Sequence, residues 1–213
     1  MQTGRPRILI ATTNPGKLRE FQGAAASLDI SVDSLAGLRT ITPPAEDGAT
    51  FDDNARTKAE YYSRHAPGEL VLAEDSGLMV DALAGAPGVH SARYAALLRD
   101  GTQAHSNSSD DENNRVLVAQ LERLGGGPFA GKYVCVIAAA RDGALLRTFR
   151  GEAHGQVLTV PRGNRGFGYD PFFLFPALGK TFAELSLEQK SALSHRGKAL
   201  REFLGWYGRE FPV

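Results

Sequence analysis

Residues 11–17 read Ala-Thr-Thr-Asn-Pro-Gly-Lys and follow the apolar run Ile8-Leu9-Ile10. Asn14 is a good helix N-cap and Pro15 suits the first helical position, so Lys17 falls in a first helical turn. A cation there opposes the helix dipole. The arrangement becomes favourable if an anion such as phosphate sits among the lysine, the exposed amides and the dipole end. A plain strand-to-helix turn with a solvated lysine is the other reading. A Walker A loop is disfavoured, because it needs glycine and Ser or Thr where Ala11 and Leu18 stand.

Two acidic stretches could supply a hard-cation ligand or a base for water. Glu74-Asp75-Ser76-Gly77 ends the apolar run Leu70-Val71-Leu72-Ala73. Carboxylates at that end of an α/β strand point into the usual ligand crevice. Adjacent strand residues face opposite ways, so one of the two serves a site. A helix cap or turn is the alternative. Glu46 and Asp47 follow Pro43-Pro44 and precede a helix, two turns into which lies Lys58, on a face with Asn54 and Tyr62. In isolation Lys58 reads as a solvated helical lysine.

The stretch Arg162–Phe173 brackets Phe167 with glycines and closes on Asp170-Pro171. It could present Phe167 for stacking on a base, or plug the core with Phe167 and Tyr169. Lys190, His195, Arg196 and Lys198 crowd one stretch. Lys190 could meet phosphate, and His195 and Arg196 could donate to a base carbonyl. A solvated basic helix face is the alternative. The five histidines show no paired zinc spacing.

Composition bounds these readings. The 213 residues hold 24 Lys plus Arg and 24 Asp plus Glu, a balance that argues against a nucleic-acid or acidic-membrane coat. The single cysteine, Cys135, excludes an internal disulfide and reads as a buried structural thiol. No apolar run reaches about 18 residues and residues 1–7 lack the pattern of a signal peptide, so a cytoplasmic protein is expected.

The elements that must carry these groups alternate. Strands are expected at Arg7–Ala11, Leu70–Asp75, Lys132–Ala140 and Ala144–Gly155. Helices are expected from Pro15, with Leu18, Phe21, Ala25 and Leu28 on one face, and from Thr50 with its Asp53 capping partner. A third starts near Ser109, with Glu112 three residues on, then Leu117, Leu121 and Leu124. A fourth helical stretch is capped by Ser186 and Gln189, carries Leu200, Phe203, Leu204 and Tyr207 as its apolar stripe, and has a possible break at Gly197. Residues 106–114 read as a solvated loop leading into the third helix. The alternation predicts an α/β fold with a mixed sheet.

Five segments, Thr12–Phe21, Glu46–Ser63, Leu72–Ala95, Gly166–Phe173 and Glu184–Leu200, resemble in order and spacing the inosine triphosphate pyrophosphatase family. The resemblance runs nearly end to end. It implies one domain over residues 1–213, an elongated mixed sheet flanked by helices in two lobes with a nucleotide cleft, and a homodimer. It implies Mg²⁺-dependent hydrolysis of ITP, dITP and XTP to monophosphate and pyrophosphate, which cleanses the nucleotide pool. By position, Thr12, Thr13, Asn14, Gly16 and Lys17 would cradle the triphosphate, with Lys58 and Lys190 adding charge. Glu46 and Asp75 would hold Mg²⁺, Asp75 would be the general base, and Ser76 would touch substrate. Phe167 would stack on the purine beside Gly168, Tyr169 and Asp170, and His195 and Arg196 would read the 6-oxo group. Glu74 receives no role. The competing readings are a pyrophosphatase for other modified nucleotides and a non-catalytic nucleotide-binding module.

Overall fold

The structure, a computed structural model, describes residues 6–26, 30–101 and 106–212. In chain order the strands are β1 Ile8–Ile10, β2 Val32–Ser34, β3 Leu70–Val80, β4 Phe129–Arg141, β5 Ala144–Val157, β6 Phe173–Phe175 and β7 Lys180–Thr181. The helices are α1 Pro15–Ala26, α2 Phe51–Ser63, α3 Tyr94–Asp100, α4 Asp110–Arg123, α5 Leu187–Leu193 and α6 His195–Glu210. The strands form one sheet in the order β2-β1-β3-β4-β5-β6-β7. β1 runs parallel to β2 and β3, whereas β5, β6 and β7 are antiparallel neighbours, so the sheet is mixed. β4 turns into β5 through Asp142-Gly143, both at positive φ (52° and 84°), the backbone that a two-residue hairpin needs.

Two compact units divide the chain. The first comprises residues 1–75, 135–151 and 191–213, and the second comprises 76–134 and 152–190. In the first unit, alternate strand residues go to opposite faces. Ile8, Ile10, Leu70 and Leu72 pack with Phe21 of α1 and with Leu200, Phe203, Leu204 and Tyr207 of α6. Leu9 and Val71 pack instead with Tyr62 of α2. Both faces are covered, which is why these strands read as continuous apolar runs. In the second unit Tyr133, Phe173 and Phe182 stack with centroids 4.9–5.7 Å apart, and Leu117 and Leu121 of α4 are fully buried.

The expected caps form. Asp53 N–H donates to Thr50 Oγ1 at 3.1 Å, Ser109 and Glu112 complete a capping box, and Gln189 N–H donates to Ser186 Oγ at 3.1 Å. Leu124 is the C-cap of α4 and half exposed, whereas Leu117 and Leu121 are buried. Leu28 lies outside the described residues. β3 does not end at Asp75 but runs on to Val80, so the two carboxylates sit within a strand. No helix among the described residues is long and apolar enough to cross a membrane.

The helix break falls at Ser194, not Gly197. Ser194 Oγ caps α6 by accepting from Gly197 N–H at 3.0 Å. Gly197 has a different reason to be glycine, because a Cβ there would collide with the Ser191 carbonyl. Helix propensity alone favours Gly197→Ala by about 1 kcal/mol, but overpacking against backbone costs about 1–3 kcal/mol. Gly197→Ala should therefore lower stability, read as a lower urea midpoint at unchanged m-value; a raised midpoint would remove the close contact as the cause.

Candidate active site

The first unit holds the loop after β1. Asn14 caps α1 by accepting from Gly16 N–H at 2.8 Å and Lys17 N–H at 3.1 Å, and Asn14 N–H donates to Thr12 Oγ1 at 3.2 Å. Two first-turn amides expected to face an anion are therefore engaged by Asn14 itself. What the loop offers an anion is the dipole end, the Lys17 ammonium and the Thr12 and Thr13 hydroxyls. Lys17 is not solvated on its own: its Nζ lies 2.7 Å from Glu74 Oε1.

Glu74 and Asp75 face opposite ways, as strand alternation requires. Asp75 turns to α2. Lys58 Nζ lies 3.1 Å from its Oδ1 and Asn54 Nδ2 donates to its Oδ2 at 3.1 Å. Lys58 and Asn54 are four residues apart on α2, hence on one face. Lys58 Nζ also reaches Glu46 Oε2 at 3.2 Å. Asn54 Oδ1 accepts from Gly48 N–H at 2.9 Å, tying the Glu46 loop to Asp75. A Cβ at Gly48 would come within 2.7 Å of Asn54 Oδ1. Asn54 was not among the expected site residues; its place four before Lys58 is the signal that could have found it. Burial pushes the Asp75 carboxyl up, Lys58 and Lys17 draw it partly back, and it remains above its ordinary 3.8. Lys58, whose charge burial disfavours, is held above its ordinary 10.5 by Asp75 and Glu46.

These carboxylates suit a hard divalent cation. Two oxygens from separate segments converge within 3.2 Å of one ammonium, so they can serve a common positive centre. Glu46 is partly exposed, leaving room for water or phosphate oxygens, and Mg²⁺ is usually held by one or two carboxylates plus such ligands. Among the described residues no three His, Cys, Asp or Glu side chains could hold an ion by themselves.

Glu74 turns to the other face. Its side chain is 2% exposed. Arg196 grips it with Nε at 2.6 Å from Oε2 and Nη2 at 3.1 Å from Oε1, while Arg196 Nη1 reaches Glu20 Oε2 at 2.6 Å. The Cys135 thiol donates to Glu74 Oε2 at 3.3 Å. Two cations thus face two carboxylates. Burial alone would raise the Glu74 carboxyl, but Arg196 and Lys17 hold it well below its usual range. Burial and Glu74 push the Cys135 thiol well up, as expected of a structural cysteine. Glu20 and Glu74 are the members of this set that sequence reasoning did not place. His195, beside Arg196, is buried at the start of α6.

The second unit holds the aromatic loop. Lys190 is buried, not solvated: its Nζ sits 2.6 Å from Asp170 Oδ2 and 4.8 Å from the Phe167 ring centroid. Asp170 Oδ2 also accepts from Phe167 N–H at 3.0 Å. Gly166 has φ +79°, and a Cβ there would collide with that carboxylate. Tyr169 is buried, and its hydroxyl donates to the Ser91 carbonyl at 2.8 Å. Of the two expected aromatics, Tyr169 fills the core and half-buried Phe167 is the ring the loop presents. Ser76, also half-buried, is the first residue of this unit.

Comparison with known proteins identifies the family. Residues 8–206 match the Ham1 family. A dITP/XTP pyrophosphatase of Acidobacterium capsulatum is 49% identical over 92% of this chain and 96% of its own length. One of Geobacter sulfurreducens is 43% identical over 96% and 99%. The HAM1 protein of Coxiella burnetii superposes with a TM-score of 0.79 at 34% identity, over 96% of this chain and 99% of its own. The Staphylococcus aureus Ham1 protein gives 0.78 at 35%, with the same coverage. The chain belongs to the Ham1 family, and its mixed α/β sheet is the fold of that family's solved structures.

Removing one partner of a buried ion pair costs about 3–5 kcal/mol, because the other charge stays buried. Glu74→Gln should lose about that much at pH 7. A carboxyl whose folded pKa is depressed stabilises above its unfolded pKa and loses that contribution as pH falls through the folded one. The gap between wild type and variant should therefore shrink as pH drops below about 4.5. Urea denaturation across pH 3–7 reads both; equal stabilities at pH 7 would contradict the ion-pair account.

Proposed function

We propose that this member of the Ham1 family hydrolyses the triphosphates of deaminated purine nucleosides, ITP, dITP and XTP, to the monophosphate and pyrophosphate. The observation that carries the proposal is the cluster of Asp75, Lys58 and Glu46, a buried carboxylate of raised proton affinity beside a cation and a second carboxylate. A binding module needs no such base. The names of the relatives support the choice of substrate.

Glu46 and Asp75 would hold Mg²⁺, and the chemistry a bound ion supplies there is neutralisation of charge on phosphate oxygens. Asp75 accepts the proton of the attacking water, a task that its burial favours. The water oxygen bonds to the α phosphorus, the bridge to the β phosphate breaks, and its electron pair leaves with pyrophosphate. Lys17 and Lys58 offset the charge that builds on that leaving group, and Thr12, Thr13, Asn14 and Gly16 shape the loop that presents Lys17. In the second unit Phe167 is the stacking surface for the purine, and Asp170 and Lys190 hold that ring in place. Gly168 and Ser76 complete the binding surface, and Tyr169 supports the loop from the core. His195 and Arg196 are assigned to the 6-oxo group, where a donor would be mismatched with adenine's amino group; for Arg196 this means giving up its Glu20 contact, since all three of its guanidinium nitrogens are engaged. The enzyme would act as a homodimer on the free cytoplasmic nucleotide pool, with no nucleic-acid or membrane partner, a reading the balanced charge supports.

Pyrophosphate release with Mg²⁺ tests the assignment. ITP, XTP and dITP should be turned over well ahead of ATP, GTP and dUTP, and EDTA should stop the reaction. No release from ITP or XTP at micromolar enzyme would sink the proposal. Asp75→Asn should lower kcat by about 100- to 10,000-fold with nucleotide still bound; near-wild-type turnover would remove Asp75 from the chemistry.

A further inference from the structure

The stretch Ser106–Asn114, expected to be a solvated loop leading into a helix near Ser109, carries groups that the reaction above does not use. From Asp110 onward it is helix α4, and two of its side chains reach the aromatic loop. Asp110 Oδ2 accepts from Gly168 N–H at 2.7 Å, and Asn114 Nδ2 donates to the Gly168 carbonyl at 3.1 Å. Being four residues apart, the two side chains stand one above the other on one helix face. They hold both polar groups of a single peptide residue, the one that follows Phe167.

That residue is where the loop most needs holding. Gly166 and Gly168 both lie at positive φ, +79° and +62°, one on each side of Phe167. Glycines have the widest backbone freedom, so without external bonds the ring between them has no fixed direction. On one side Asp170 fixes the Phe167 amide. On the other, the fixing groups are Asp110 and Asn114. A Cβ at Gly168 would meet no atom within 4 Å, so nothing packs on that side of the residue, and the bonds to its N–H and carbonyl do the holding there.

The helix that does the holding is itself locked. Ser109 and Glu112 close a capping box at its start. Buried Asn113 accepts from Ala95 N–H at 2.9 Å and donates to the Ala92 carbonyl at 3.2 Å. Leu117 and Leu121 anchor the next turns in the core. Asn113, Leu117 and Leu121 are four residues apart and seat one face of α4 in the core, which fixes the helix's rotation and with it the direction of Asp110 and Asn114.

We propose that Asp110 and Asn114 are positioning residues that clamp Gly168 and thereby set the ring direction of Phe167 and how tightly a purine base is held. The proposal rests on the function proposed above, since it takes Phe167 as the base platform. The roles are chemically distinct. Position 110 must accept, so asparagine can replace aspartate there. Position 114 must donate, so aspartate cannot replace asparagine.

The test compares Asp110→Ala, Asp110→Asn, Asn114→Ala and Asn114→Asp by steady-state kinetics on ITP and by amide hydrogen exchange at Gly168. A lost hydrogen bond corresponds to roughly 3- to 10-fold. KM for ITP should rise by that factor in Asp110→Ala, Asn114→Ala and Asn114→Asp, with a smaller change in kcat, and Asp110→Asn should rescue. Gly168 N–H should exchange faster in Asp110→Ala but not in Asp110→Asn. A merely structural role would lower thermal stability and leave KM alone. Unchanged KM in both alanine variants, or an Asp110→Asn as impaired as Asp110→Ala, would overturn the proposal. If wild type releases no pyrophosphate from ITP, the functional reading fails separately, and the Gly168 exchange rates then decide the clamp: faster in Asp110→Ala upholds it, unchanged overturns it.

Discussion

The grip of Arg196 and Lys17 on the buried Glu74 carboxylate is the constraint on which the rest of the first unit's site depends. It joins the start of α1, the start of α6 and the middle of β3 through charges that water cannot compensate. Its consequence reaches the neighbouring residue. A strand alternates with a period of two, so fixing Glu74 toward α1 and α6 forces Asp75 toward α2. The apolar residues before them follow the same rule, with Leu70 and Leu72 on one face and Val71 on the other. The site is therefore not added to the sheet; it continues the sheet's own alternation in polar residues.

On the α2 side the same logic turns polarity into chemistry. Thr50 fixes where α2 starts, and that start fixes Asn54 and Lys58 on the face that Asp75 meets. Asn54 then serves two masters, the Asp75 carboxylate with its amide nitrogen and the Gly48 backbone with its oxygen. A carboxylate so enclosed keeps a raised proton affinity despite an adjacent lysine, because desolvation outweighs the pairing. That balance suits a base that must take a proton from water.

Local signals were legible in the sequence and long-range ones were not. Asn14, Thr50, Ser109 and Ser186 announce helix starts because caps act over two or three residues. The opposed directions of Glu74 and Asp75 follow from strand geometry alone. By contrast Lys58, Lys190 and Arg196 each allow a solvated reading, since their partners Asp75, Asp170 and Glu74 lie 17, 20 and 122 residues away. Strands β2, β6 and β7 span two or three residues each, too short for any period to show. β3 continues past Asp75 through Ser76 and Gly77, which read as a turn but are carried by the sheet; a Cβ at Gly77 would collide with Ser91 Oγ. Gly197 looked like a helix breaker and is a close-approach residue instead, a distinction that needs the Ser191 carbonyl in view.

The central claim is that water activated at Asp75 attacks the α phosphorus. It is tested most directly by running ITP hydrolysis in water enriched in oxygen-18 and locating the label by phosphorus NMR. The account predicts label in the monophosphate and none in pyrophosphate. Label in pyrophosphate, or release of orthophosphate in its place, would contradict it.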